Sequence, residues 1–243
     1  MNSKTDINKC KEVAKLFVDL EPDFSEVFVV NHPIIDSQYV LLNKELVNLA
    51  EGDNLAKYRE YIKNYIDSRV KNYLDFILFI KKPYLFAFLR YTEDYLSIED
   101  FSEYLSESWV LVEYSNNDKN YSKSKLLKAF KRADKNILMN EDELESYNKL
   151  DDYITVYRGV KPKSSYKALS WTTNKKIAQW FADRFDKNGA VYKAKINKKY
   201  IFAYFSRRNE DEIVLDYTKL EDVRKIWLEV LIWKKNVLKE WKS

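Results

Sequence analysis

The chain has 243 residues, 46% of them hydrophobic and 16% aromatic, and a formal charge of only +4. It is long enough to bury a substantial core, and so small a charge implies no general affinity for nucleic acid. Three glycines (Gly52, Gly159, Gly189) exclude a G-x-G-x-x-G fingerprint and a Walker A loop, while one histidine (His32) and one cysteine (Cys10) leave no zinc site, no disulfide and no Ser-His or Cys-His signature.

The first 150 residues read mainly as helix. Thr5 is placed to cap a helix that turns Ile7, Cys10, Val13, Ala14 and Phe17 to one side. Residues 26–42 lean toward extended structure and break at Pro33. From Asp53 the three-four spacing of Leu55, Tyr58, Ile62, Tyr65, Ile66, Val70, Tyr73, Ile77 and Ile80 predicts one long helix that stops before Pro83. Further helices are expected at about 98–113 (Ser97 cap), 123–133 and 141–148 (Asn140 cap, with Glu143 three residues on). After Leu150 the pattern changes to short strands rich in β-branched and aromatic residues, at 154–157, 168–171, 190–196, 200–205 and 212–215. A helix from Asn174 to about Phe185, capped by Thr173, interrupts them, and a last helix is expected from about Leu220 through Trp241. No repeat and no Gly/Pro/Ser linker separates the halves. The expectation is one α+β domain over 1–243, with a mainly helical portion (1–150) and a β-rich core (151–243). The first residues lack the apolar stretch of a signal peptide, and runs such as Phe76-Ile77-Leu78-Phe79-Ile80 are too short to span a bilayer. A cytoplasmic protein with no membrane partner is therefore expected.

Carboxylate, guanidinium and hydroxyl groups are the chemistry that remains. Three short motifs carry it in order: Tyr157-Arg158-Gly159, then Ser170-Trp171-Thr172, then Glu210-Asp211-Glu212. Each is common by chance. All three together, each at a predicted strand end or edge, form a pattern.

With this order of motifs the chain resembles the ADP-ribosyltransferase fold, in the branch marked by arginine, Ser-x-Ser/Thr and Glu-x-Glu, of bacterial or phage type. The likeness covers roughly residues 153–217, and the twelve residues from Arg158 to Ser170 are a short connection for that family. It implies a split β-sheet core and an NAD-dependent mono-ADP-ribosyltransferase that needs no metal. Arg158 matches the first-strand arginine, Ser170 and Thr172 the hydroxyl pair, and Glu212 the catalytic glutamate, with Glu210 orienting the nucleophile. The acceptor is then a macromolecule, either a protein arginine or RNA or DNA. Because such enzymes act as toxins, phage-defence effectors or host modifiers, a cognate antitoxin is an expected partner. Two further readings stand beside it: an NAD glycohydrolase of the same fold, and a non-catalytic binding module of that fold.

Elementary chemistry fits the resemblance. Cleavage of the nicotinamide–ribose bond builds positive charge at the anomeric carbon, as in glycoside hydrolysis. A carboxylate such as Glu212 offsets that charge. A strand-borne guanidinium such as Arg158 suits the pyrophosphate, and Gly159 lacks a Cβ where a dinucleotide would approach. Ser170 and Thr172, alternating to one face, are placed to hold Glu212 by hydrogen bonds. Plainer roles compete with these. Arg158 can be an ordinary ion-pair arginine, the hydroxyls can serve a strand and a helix start, and 210–212 can be an acidic turn neutralised by Arg207 and Arg208. His32, Trp171, Trp180 and Phe181 read as structural. Lys123, Lys125, Lys128, Lys131 and Arg132 form either the wet face of a helix or a phosphate-contacting patch.

Overall fold

In this computed structural model the described residues are 2–184 and 188–226. In chain order the elements are α1 (Ile7–Val18), β1 (Tyr39–Leu42), β2 (Glu45–Asn48), α2 (Asn54–Arg69), α3 (Leu85–Thr92), α4 (Ile98–Leu111), α5 (Lys123–Arg132), α6 (Lys135–Leu138), α7 (Glu141–Asn148), β3 (Tyr153–Val160), β4 (Ser170–Thr172), α8 (Lys175–Asp183), β5 (Ala190–Asn197), β6 (Ile201–Phe205), β7 (Glu212–Leu215) and β8 (Glu221–Ile226). The class is α+β, with one six-stranded antiparallel sheet. Two compact units are present. One comprises the residues up to Ser122 with Arg132–Leu138, and the other Lys123–Lys131 with the residues from Met139 onward. No helix among the described residues is long and apolar enough to cross a membrane.

The first unit is helical and packed with aromatic rings. Tyr73 and Tyr104 lie 4.7 Å apart between centroids, as do Phe76 and Phe88. α1 buries Cys10, Ala14 and Phe17 as its spacing predicts, but its cap is Asp6, whose carboxylate accepts from the Lys9 amide at 3.1 Å. Thr5 instead ties this helix start to α4, accepting the Ser97 amide and donating to Asp100. The single long helix expected from Asp53 to Ile80 is broken. α2 ends at Arg69, and the Asp75 carboxylate accepts the Lys71 and Asn72 amides, so that a capping box starts a separate 3₁₀ turn at Tyr73–Leu78. Two local amides closed on one side chain outweigh the continuing aromatic periodicity. The extended stretch at 26–42 is strand only over Tyr39–Leu42, paired with Glu45–Asn48.

His32 is structural. It is 1% exposed, its Nδ1 accepts the Ile34 and Ile35 amides at 3.0 Å, and its Nε2 donates to the Leu20 carbonyl. The loop around Pro33 is wound on this imidazole.

The second unit is built on the sheet, in strand order β6-β7-β4-β3-β5-β8. α8 lies against β3 and β5, burying Ala178 and Ala182 with Val191 and Tyr157. Its cap is Asn174, which accepts the Lys176 amide, and not Thr173. The expected C-terminal helix does not begin at Leu220: Glu221–Ile226 is strand β8, laid antiparallel on β5. The remainder of that expected helix, and Phe185, lie outside the described residues.

Candidate active site

β3 and β4 part company beside Arg158. β3 holds its register with β5 along its whole length, from Tyr153↔Asn197 to Val160↔Ala190, but with β4 it shares only the pair Tyr157↔Thr172. The sheet is thus split from Arg158 onward. The Arg158 guanidinium reaches across this split and donates from Nη1 to the Ser170 carbonyl, while its Nε is buried with no hydrogen-bond partner. Burial pushes the guanidinium down to about 10, and the Glu212 carboxylate acts in the opposite direction. The group stays protonated at neutral pH, so this is a half-buried cation whose buried Nε is an unspent donor.

Gly159 has another task than the one expected of it. A Cβ there would stand 1.9 Å from the Ala178 carbonyl oxygen and 2.6 Å from the Ala182 amide nitrogen. The missing side chain lets α8 pack on the sheet, and the helix backbone fills the space a dinucleotide would have used.

A second cation stands near Arg158, one that sequence reading placed only within the basic stretch Lys123–Arg132. Lys123, the first residue of α5, donates from Nζ to the Lys167 carbonyl at 3.0 Å. Its ammonium is held below the ordinary lysine value by burial first and by the Arg158 charge second. An ammonium and a guanidinium therefore cap carbonyls on one short segment, 167–170, with the Lys123 ammonium in the field of Arg158. Arg158 faces Tyr192 in the β3–β5 register, and the Tyr166 ring lies 4.9 Å from that of Tyr192.

The Glu210-Asp211-Glu212 segment enters β7 through a tight turn in which Asn209 and Asp211 take left-handed φ values of 55° and 44°. Only side chains that tolerate that region adopt it readily, and Asn and Asp are among them. Glu212 opens the strand opposite Thr172, and its residue is 4% exposed. Arg208 lies between the two glutamates, with Nη2 3.2 Å from Glu212 Oε2 and 3.3 Å from Glu210 Oε2. Glu210 is held above the ordinary carboxylate value by burial, which the Arg208 cation opposes and the Glu212 carboxylate reinforces.

The Thr172 hydroxyl acts on backbone and not on the Glu212 carboxylate. Thr172 Oγ1 donates to the Glu210 carbonyl at 2.7 Å and accepts the Asn174 amide at 3.0 Å, so it fixes the turn and the start of α8 at once. Ser170 serves through its carbonyl, the acceptor for Arg158. The expectation that these two side chains bond Glu212 is thus replaced by support of the segment that carries it. Tyr204 adds to that support by donating to Asp211 Oδ1 at 2.8 Å.

Arg207 and Arg208, which the plainer reading of 210–212 takes to neutralise the acidic turn, are both engaged. Arg207 Nε donates to Glu143 at 3.2 Å, and Arg208 is held as described. On α5, Lys131 pairs with the buried Asp216 at 2.8 Å, and Arg132 sits over the Phe101 ring at 4.1 Å. Trp171 is core, donating to the Ala168 carbonyl, whereas Trp180 is 55% exposed. Among the described residues no group of three or more His, Cys, Asp or Glu side chains is placed to hold a metal ion.

No protein-family model, curated protein or solved structure matches this chain. Its function is therefore argued from the site itself.

Proposed function

We propose that the protein is a mono-ADP-ribosyltransferase that uses NAD as its substrate. The observation that carries this reading is the half-buried Arg158 cation at the sheet split, with a buried, unpartnered Nε and the Glu212 carboxylate in its field. A charged donor kept from water and left unsatisfied is costly unless an anion completes it, and a pyrophosphate supplies the oxygens. Lys123 would share that load. Burial, and after it the Arg158 charge, lower its affinity for a proton.

In this reading the nicotinamide ribose lies at Glu212. The carboxylate stabilises the cationic sugar as the C1′–N bond lengthens, and being fixed at the head of β7 it needs little reorganisation. Glu210, nudged toward holding a proton, takes one from the incoming nucleophile. Thr172 and Tyr204 keep the turn that carries both groups in place. The family resemblance through Arg158, Ser170, Thr172, Glu210 and Glu212 supports the same assignment, including the two glutamates' division of labour.

On the acceptor, the ion pairs of Arg207 and Arg208 remove the repulsion that free cations beside the glutamates would exert on a protein arginine. They also leave fewer free cations here for nucleic-acid phosphates. A guanidinium acceptor on a protein is favoured over RNA or DNA. Hydrolysis with water as acceptor is the background reaction of the same site. Toxin or defence roles, and an antitoxin that covers this site, follow only from the resemblance.

The test is incubation of the purified protein with NAD, with nicotinamide release followed alone and with added protein, RNA or DNA. Release that is lost in Glu212→Gln supports the proposal. Wild-type protein that neither binds NAD nor releases nicotinamide under any of these conditions overturns it.

A further inference from the structure

The Glu-x-Glu pair already holds a guanidinium, and it belongs to the chain itself. Arg208 Nη2 is 3.2 Å from Glu212 and 3.3 Å from Glu210, four residues ahead of Glu212 on the same loop. Its neighbour Arg207 is turned the other way, onto Glu143, which is fully buried. The loop between them is fixed rather than free: Glu143 Oε1 accepts the Ser206 amide at 2.9 Å, and the Asn209 amide donates to the Ser206 carbonyl at 2.7 Å. Arg208 is thereby presented to the two carboxylates without any docking partner. Its side chain remains 33% exposed, so a substituent on it has an outlet to solvent.

We propose that Arg208 is a cis acceptor, ADP-ribosylated by the active site on which it rests. The inference depends on the NAD-using reading above and adds a modification site to it. An atom held within hydrogen-bond distance of the carboxylate that stabilises the ribose cation lies close to where an attacking nitrogen must stand, and such pre-positioning removes much of the entropic barrier. Glu210 takes a proton from Nη2, and the freed electron pair forms the new bond to ribose C1′. The C1′–nicotinamide bond breaks with its electron pair going to the ring, so nicotinamide leaves as the neutral base. The released proton passes on to solvent. Nothing besides NAD is consumed. The adduct then occupies the one guanidinium that rests on Glu212 and Glu210, so self-modification saturates at a single adduct per chain and slows, without abolishing, transfer to other acceptors.

The experiment is incubation of the full chain with NAD, followed by mass-spectrometric mapping of the adduct with a fragmentation method that preserves it, with nicotinamide release measured in the same tubes. The expected result is an adduct on Arg208 and none on Arg207, lost in Arg208→Lys and in Glu212→Gln, with a rate per chain that does not change on dilution. Nicotinamide release with no adduct, or with the adduct elsewhere, overturns the proposal and leaves the NAD-using reading intact. A labelling rate per chain that rises in proportion to protein concentration overturns the cis placement. Absence of nicotinamide release in every condition removes the underlying reading, and this proposal falls with it.

Discussion

Glu143 on α7 and Arg207 in the β6–β7 loop form an ion pair, with Arg207 Nε donating to Oε1 at 3.2 Å and the glutamate side chain 0% exposed. The same carboxylate accepts the Ser206 amide at 2.9 Å and, through Oε2, the Asn140 amide at 3.1 Å that closes the capping box of α7. One side chain therefore caps the start of a helix and anchors the loop that carries Arg208, Glu210 and Glu212. It acts on the candidate site only through the backbone it holds.

Glu143→Ala leaves three donors without an acceptor and one guanidinium without its counter-charge. Removing one partner of a buried charged pair costs about 3 kcal/mol or more, and the capping loss adds to it. Chemical denaturation should show that drop, with Glu143→Gln losing less because its amide oxygen still accepts. An unchanged denaturation midpoint for Glu143→Ala contradicts the anchoring role.

The caps at Ser97 and Asn140, the strand segments after Leu150 and the three motifs are legible in the sequence because each is a local pattern. The break at Val70–Asn72 is not, because hydrophobic spacing runs straight across it and only the Asp75 side chain, closing on two amides, decides it. Val223 and Ile226 fit a helical spacing in isolation, and it is pairing with β5 that makes their segment a strand. In the site, Arg158 and Glu212 announce themselves by motif. Lys123 does not, since only the folded chain brings it beside Arg158, and Glu143 reads from sequence merely as a capping residue. The wrong expectation for Gly159 has the same origin. A glycine's neighbour, whether substrate or helix backbone, is set by tertiary packing.

In the proposed reading the two glutamates separate by function. Glu212→Gln should lower nicotinamide release on the order of 10²–10³-fold, the usual consequence of removing a preorganised charge from a polar transition state. Glu210→Ala should lose transfer to an arginine acceptor while keeping part of the hydrolysis. Steady-state assays of both activities decide this, and an equal loss of both in Glu210→Ala places that residue in NAD binding or in the loop's architecture.

Burial pushes the His32 imidazole down to about 4 from an ordinary 6.5, and it is the only histidine in the chain. A depressed histidine binds its proton more readily when the chain is unfolded, so stability is full above about 6.5 and falls as pH drops toward 4. The loss across that window is about 3 kcal/mol, from a shift of this size. His32→Asn removes this component of the pH dependence. Denaturation curves for both proteins between neutral and mildly acid pH should converge as pH falls, and parallel curves would count against the buried neutral state.

In the proposed reading, burial imposes on the Lys123 and Arg158 cations a cost that bound phosphate would relieve. A lysine whose folded-state value is depressed is destabilising wherever it is protonated, and the cost disappears only as pH rises through that value. Lys123→Met keeps the aliphatic stem and removes the charge. It should therefore match or exceed wild-type thermal stability without ligand at neutral pH, while binding NAD or ADP-ribose about tenfold more weakly, the scale of one charge-assisted hydrogen bond. Arg158→Lys should lose more affinity, because an ammonium cannot both cap the Ser170 carbonyl and present a planar pair of donors to phosphate. Calorimetric titration with ADP-ribose at two salt concentrations measures both effects, and the wild-type affinity should fall as salt rises. If Lys123→Met binds ADP-ribose as tightly as wild type, Lys123 is no part of the phosphate site and Arg158 must hold the anion alone.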